Sequence, residues 1–241
     1  KVISEDFYEL YEGQTLYAHW SANEFDLLLD GNGAYVPNSS RSIRYGEKYG
    51  ELPELELENY NFLGWFTSHN GGTKVKSDTV FNLQKDQTIY AQWQGVASTV
   101  TFDANGGNTA TKSTTVFYGQ TYGTLPKPTK TGYDFVGWFI DLDWAHQVTE
   151  DDMVWFIEGQ TLYAQWVPKQ INITYDANYG KIIYDRKSVS SYTIEVPYDE
   201  EYGTLLVPSR EGYTFEGWYT SSLSGERIYE STINKNAYSK T

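Results

Sequence analysis

The chain has no cysteine and a single methionine in 241 residues. Disulfide bridges, thiolate metal sites and cysteine nucleophiles are therefore excluded. Long apolar runs are also missing. No stretch approaches the 18 or so residues a membrane-spanning helix needs, and mean hydropathy is −0.56. The segment is expected neither to cross a membrane nor to carry an export signal of its own. Basic residues are scarce: 18 Lys and Arg stand against 32 Asp and Glu, a net charge of −14. That balance argues against nucleic acid, whose phosphates require cations, and against an anionic membrane surface. Its plain meaning is solubility.

What the chain has in abundance is aromatic residues, 17% of the total, with 22 Tyr, 11 Phe and 8 Trp. They recur in order. Thr15-Leu16-Tyr17-Ala18-His19-Trp20 returns as Thr88-Ile89-Tyr90-Ala91-Gln92-Trp93 and again as Thr161-Leu162-Tyr163-Ala164-Gln165-Trp166, at a period of 73 residues. A period of this length signals an array of small domains. Units near 70 residues bury a limited share of their surface, and large aromatics compensate at roughly 150–250 Å² each.

Three further landmarks share the frame. Leu27-Leu28-Leu29-Asp30-Gly31-Asn32-Gly33 matches Val100-Thr101-Phe102-Asp103-Ala104-Asn105-Gly106-Gly107 and Ile173-Thr174-Tyr175-Asp176-Ala177-Asn178-Tyr179-Gly180. Tyr45-Gly46-x-x-Tyr49-Gly50-x-Leu52-Pro53 matches Tyr118-Gly119-x-x-Tyr122-Gly123-x-Leu125-Pro126 and, more loosely, Tyr198-x-x-x-Tyr202-Gly203-x-Leu205. Tyr60-x-Phe62-x-Gly64-Trp65-Phe66 matches Tyr133-x-Phe135-x-Gly137-Trp138-Phe139 and Tyr213-x-Phe215-x-Gly217-Trp218-Tyr219. Trp65 to Trp138 is 73 residues but Trp138 to Trp218 is 80, which places a seven-residue insertion between Tyr175 and Tyr198, with Lys181–Ser191 as its host. The frame divides the chain into a closing strand of a preceding repeat at 1–20, complete repeats at 24–93 and 98–166, and a third repeat at 171–241 that has the insertion and lacks the usual closing strand.

Alternation and β-branched or aromatic residues mark most landmarks as strands, and Asp-x-Asn-Gly is hairpin-turn chemistry. The aromatics of Tyr133–Trp138 slip by one across Gly137, which indicates a bulge there or a Trp ring over bare backbone. A short helix fits Asp141–Ile157 or Asp78–Leu83. The expected class is α+β, mostly β.

Val-x-Phe-Asp-x-Asn-Gly-Gly, Tyr-Gly-x-x-Tyr, Pro-x-Lys-x-Gly-Tyr-x-Phe-x-Gly-Trp and Thr-Leu-Tyr-Ala-Gln-Trp together resemble the Listeria–Bacteroides repeat, also called the internalin B-type B repeat. The resemblance covers nearly the whole chain and is closest in the second repeat. It implies β-grasp, ubiquitin-like units in an extended tandem array, in bacterial cell-surface proteins where such modules act as stalk or spacer and contribute to adhesion. It carries over no catalytic residue and no cofactor.

The recurrent Trp20, Trp65, Trp93, Trp138, Trp166 and Trp218, with Tyr90 and Tyr163, are expected in the cores, although aromatic faces also stack on sugars. Aromatics peculiar to one repeat, Trp144, Trp155 and Tyr184, are the candidates for contact with a host-surface protein or glycan. The clusters Asp141-Leu142-Asp143 and Glu150-Asp151-Asp152 offer oxygens of the kind Ca²⁺ takes. Asp30, Asp103 and Asp176 read as turn formers. His19, His69 and His146 share no spacing that a metal site or a triad requires. The sequence therefore leads first to a non-catalytic stalk segment, extracellular at a bacterial cell surface. A binding module, or an accessory region of an extracellular enzyme, comes next. The third repeat admits three endings: closure by a strand from Thr15–Trp20 of another molecule, head to tail; closure by its own Ile228–Tyr238; or fraying.

Overall fold

A computed structural model describes residues 15–236. The chain forms two compact units, Lys1–Gln94 and Gly95–Thr241.

The first unit holds a five-stranded sheet of β1 (Glu24–Asp30), β2 (Ser40–Arg44), β3 (Tyr60–Phe66), β4 (Lys74–Val75) and β5 (Gln87–Gly95), ordered β2-β1-β5-β3-β4. β1 is antiparallel to β2 and parallel to β5, with Leu27 opposite Gln87 and Asp30 opposite Tyr90. The second unit begins with β6 (Ala97–Asp103), β7 (Ser113–Phe117), β8 (Tyr133–Phe139), β9 (Gln147–Val148) and β10 (Gln160–Pro168), ordered β7-β6-β10-β8-β9. β10 is parallel to β6 and antiparallel to β8. In both sheets the last strand is thus pressed between the first and the third.

The rest of the second unit contains β11 (Gln170–Asp176), β12 (Ile182–Tyr184), β13 (Lys187–Val189), β14 (Ser191–Pro197), β15 (Trp218–Tyr219) and β16 (Arg227–Ile228). They form three separate antiparallel pairs, β11-β14, β12-β13 and β15-β16. The small hairpin β12-β13 lies in the stretch to which the seven-residue excess was traced. Ile228 falls in β16, and Ile233 bridges Glu201 as Val80 bridges Lys48 and Met153 bridges Thr121. Neither residue closes the third repeat, and Tyr238 lies outside the described residues.

Among the described residues there is no helix, which corrects the α+β expectation. The reason lies in backbone pairing. Over 77–81 the chain is tied sideways to the Tyr-Gly-x-x-Tyr-Gly segment: Tyr49 N–H donates to Thr79 O, Gly50 N–H to Ser77 O, Gly46 N–H to Phe81 O, and Phe81 N–H to Glu47 O. The same lattice recurs between 119–123 and 150–154, and between 199–203 and 230–234. Groups engaged laterally cannot also make i→i−4 bonds. The lattice needs left-handed backbone at Gly46 (φ 87°) and Gly119 (φ 73°), and Asp199 adopts φ 70° at the same place in the third repeat.

The bulge falls where the aromatics slip. Gln165 faces Gly137 and Trp166 faces Phe135, which leaves Val136 as the extra residue. The bare face of Gly137 is covered by a side chain from β9 and not by a tryptophan ring: a Cβ there would sit 2.4 Å from Gln147 Nε2. Lys74 covers Gly64 in the same way.

Each complete sheet buries one core. Leu27, Ile89, Phe81 and Trp65 fill the first, and Val100, Leu162, Val154 and Trp138 the second. Every buried indole N–H needs an acceptor. Trp65 and Trp138 donate to the carbonyls of Pro53 (2.8 Å) and Pro126 (2.7 Å), and Trp93 and Trp166 to those of Gly31 (3.0 Å) and Ala104 (2.9 Å). The turn asparagines reach the same strand. Asn32 and Asn105 each donate through Nδ2, at 3.1 Å, to Ala91 O and Ala164 O of the last strand. Their own N–H groups bond Asp30 and Asp103 at 2.8 Å.

Trp138→Ala is expected to destabilise the second unit by about 3–5 kcal/mol, the usual cost of removing a buried large aromatic, as read by denaturant unfolding. Asn105→Ala removes the link from turn to last strand and places alanine at φ 46°. A loss of about 1–3 kcal/mol is expected in the same assay.

Candidate functional site

The recurrent aromatics occupy graded positions. Trp65 and Trp138 are buried, whereas Trp93, Trp166, Trp218, Tyr90 and Tyr163 are half-buried. Trp20 departs from the expected core role: it is 92% exposed, and Leu16 and Tyr17 are exposed with it. The physical reason is the absence of cover. Trp93 and Trp166 each bond a carbonyl 62 residues earlier and pack on Phe62 and Phe135. Trp20 has no such cover among the described residues.

The single-repeat aromatics sit on three different elements with three different partners. Trp144 lies in the β8–β9 loop at φ 61°, where the first repeat has Gly71 at φ 70°. Its ring meets Phe139 edge-on at 5.5 Å. The loop is pinned by Asp141, which accepts from Ala145 N–H (2.9 Å) and lies 2.6 Å from His146 Nδ1. The His146 contact holds the Asp141 carboxyl below its ordinary range. Trp155 is 63% exposed and meets Tyr118 edge-on at 5.4 Å. Tyr184 is 46% exposed and lies 4.0 Å from the Tyr192 ring, 31° from parallel. No contact among those described brings the three together.

The acidic clusters are engaged within the protein. Besides Asp141, Asp152 accepts from the N–H (2.7 Å) and hydroxyl (2.9 Å) of Thr149, which lower its pKa, and Glu150 accepts from Leu125 N–H at 3.1 Å. Asp30, Asp103 and Asp176 each cap the N–H two residues on, as turn formers do. Among the described residues no group of three or more His, Asp or Glu comes together to hold a metal ion, and no helix is long and apolar enough to cross a membrane.

The structure adds a shallow cleft of about 450 Å³ beside the β6–β7 turn, lined by Gly106, Gly107, Asn108, Thr129, Lys130 and Lys169 among others. Lys130 Nζ lies 4.5 Å from the Tyr133 ring centre and 6.0 Å from that of Trp166, and it donates to Asn105 O at 3.3 Å. Lys169 Nζ lies 3.6 Å from Asp134. In the third repeat Arg210 stands where Lys130 does, 4.0 Å over Tyr213 and 5.5 Å over Tyr179. Tyr179 is 89% exposed at φ 69°, a place held by Gly33 and Gly106 in the other repeats. A large side chain in left-handed backbone costs about 1–2 kcal/mol. Tyr179 was visible in the sequence as the residue breaking the Asn-Gly pattern, and Lys130 and Arg210 as cations three residues before a conserved-in-frame Tyr. The cleft is lined by two ammonium groups, Lys130 and Lys169, among glycine, threonine and asparagine. It can hold a small polar group, and it contains no paired nucleophile and base.

A family model described as the Listeria-Bacteroides repeat domain matches three times, over residues 25–92, 99–165 and 172–241. Two relatives come from Evansella cellulosilytica. One, whose name describes a Gly-rich membrane protein, is 26% identical across 94% of this chain and 27% of its own length. The other, whose name describes a membrane protein, is 32% identical across 87% of this chain and 30% of its own. Internalin H of Listeria monocytogenes is 39% identical across 34% of this chain and 14% of its own length. The chain thus spans less than a third of the length of each of these relatives. With the three matches covering most of its residues, this chain belongs to the Listeria–Bacteroides repeat family.

Proposed function

We propose that the chain is a non-catalytic tandem-repeat segment of a bacterial cell-surface protein. Its repeats at 24–93, 98–166 and 171–241 act as stalk or spacer and contribute to adhesion. The observation that carries the reading is where the recurrent chemistry goes. In both complete repeats the recurring indoles, turn asparagines and aspartates bond the protein's own backbone. What recurs is a means of building a small rigid body, and a spacer needs that body repeated.

The order second-first-fifth-third-fourth, with a parallel central pair, supports describing the first and second repeats as a β-grasp without the crossing helix. The names of the relatives, two membrane proteins and an internalin, support a place at the cell surface. Connections are short. One residue, Val96, separates β5 from β6, and one, Lys169, separates β10 from β11. The extended tandem array that the family implies is part of this proposal.

The cleft beside Lys130 favours a second reading, contact with an anionic or polar glycan, to which the ammonium groups of Lys130 and Lys169 are suited. On a glycan array, binding that Lys130→Ala reduces tenfold or more supports this reading, and an array without signal removes it.

The spacer reading is tested by small-angle X-ray scattering. A compact globule of this length has a radius of gyration of about 18 Å. The rod is expected to exceed that value clearly and to give an elongated distance distribution. A single compact particle contradicts it.

A further inference from the structure

The turn that precedes Tyr-x-Phe-x-Gly-Trp has one backbone shape in all three repeats. The N–H groups of Tyr60, Tyr133 and Tyr213 donate to the carbonyls of Leu57, Lys130 and Arg210, each at 3.1 Å. The residue ahead of each tyrosine is left-handed: Asn59 at φ 64°, Gly132 at φ 81° and Gly212 at φ 77°. Asparagine tolerates this region, and the first repeat uses it there. The backbone of the turn therefore does not by itself require glycine at 132.

What requires it is a side chain of the next repeat. A Cβ on Gly132 would stand 2.2 Å from Cδ1, 2.3 Å from Cγ and 2.4 Å from Cε1 of Tyr198. Three consecutive ring atoms at nearly one distance mean that the ring turns its face, and not its edge, to the glycine. All three distances are far inside van der Waals contact, so any side chain at 132 displaces the ring.

Tyr198 is tied to this place by its backbone as well. Its N–H donates to Lys169 O (2.9 Å), and Lys169 N–H donates to Gly132 O (2.9 Å). The single residue connecting β10 to β11 thus joins the Tyr198 backbone to the glycine that the Tyr198 ring covers. The ring also meets Tyr133 edge-on, at 5.5 Å and 76°. Beside it, the Tyr133 hydroxyl donates to Asp199 Oδ2 at 3.1 Å, while Asp199 Oδ1 pairs with Lys235 of its own repeat. Lys169 Nζ lies 3.6 Å from Asp134. Asp199 stands at φ 70° where the first two repeats have Gly46 and Gly119. Two departures from the recurring pattern, glycine for asparagine at 132 and aspartate for glycine at 199, therefore meet at one joint. The first makes room for a ring, and the second supplies a carboxylate to the tyrosine next to that room.

We propose that the turn 130–134 is a docking surface for the repeat that follows it, and that Tyr198 and Asp199 latch the third repeat to the second so that the two move as one body. Neither residue belongs to the buried core of a repeat. What they hold is the angle between one repeat and the next. The latch goes beyond the spacer reading and does not rest on it: scattering reports the shape of the whole chain, whereas the latch concerns one joint and is compatible with any overall shape.

The chain has no cysteine, so labels go only where cysteines are introduced. Thr115 in β7 and Glu195 in β14 are exposed and hold the same place in the frame, three residues before Tyr118 and Tyr198. With Thr115→Cys and Glu195→Cys spin-labelled in the full chain, double electron–electron resonance is expected to give one narrow distance distribution. Gly132→Asn keeps a residue suited to left-handed backbone and adds a Cβ under the ring, and Tyr198→Ala removes the ring. Each should broaden the distribution about twofold or more, since repeats without a firm contact move relative to one another. A pair within the second repeat, Thr115→Cys with the exposed Asp151→Cys, should keep its width in every variant. A broad distribution in the chain with Gly132 and Tyr198 intact overturns the proposal, as do Gly132→Asn and Tyr198→Ala variants that stay equally narrow. Broadening of the pair within the second repeat overturns it too, because Gly132 and Tyr198 would then serve the fold of a repeat and not the joint.

Discussion

The first and second repeats each hang on one strand held between two others. β5 and β10 pair on both edges, in parallel with the first strand and alongside the third, and they carry alanines with no solvent exposure where the sheet is tightest. Without such a strand the pairs on either side stay separate, as β11-β14 and β15-β16 do among the described residues. The first and last strands of a unit are some 60 residues apart in sequence, with Leu27 opposite Gln87 and Val100 opposite Gln160. Their pairing closes a long loop, which must be paid in chain entropy before the contact gives anything back. A unit this small meets that cost with large side chains. Ile89 and Leu162 in the closing strands are fully buried against Trp65 and Trp138.

The polar groups reinforce the same strand. Asn32 and Asn105 grip its alanine carbonyls, Trp93 and Trp166 bond back to the turn, and Tyr49 and Tyr122 bond its first glutamine. Burial raises the pKa of both tyrosines, so they stay neutral donors across the physiological range. The tight turn, the closing strand and the Tyr-Gly segment form one cooperative unit, and its repetition gives a rigid body with side chains left over for the surface. Those left-over positions are where the repeats diverge: Trp144 and Tyr179 stand in left-handed backbone that other repeats give to glycine.

The strands and turns were legible because alternation, Asp-x-Asn turns and the 73-residue period all act locally. The bulge at Gly137 was legible for the same reason. The absence of a helix over 78–83 and 141–157 was not, because lateral bonds to a segment some 30 residues away decide it. The exposure of Trp20 was hidden too. Its motif matches Trp93 and Trp166, but burial depends on a turn and a phenylalanine far back in the chain. The asparagines read as turn formers, and their second bond, to a strand 59 residues on, carries no sequence signal. The cleft at Lys130 and Lys169 is likewise a product of tertiary approach.

If the closing strand holds each unit together, its amides cannot open without the unit unfolding. Native-state hydrogen exchange on the chain tests this residue by residue. The amides of Leu162 and Ala164 in β10 should exchange only through global unfolding of their repeat, with the free energy and denaturant dependence of the cooperative transition. Exchange of β10 through a smaller local opening, while β6 and β7 remain protected, would contradict the account.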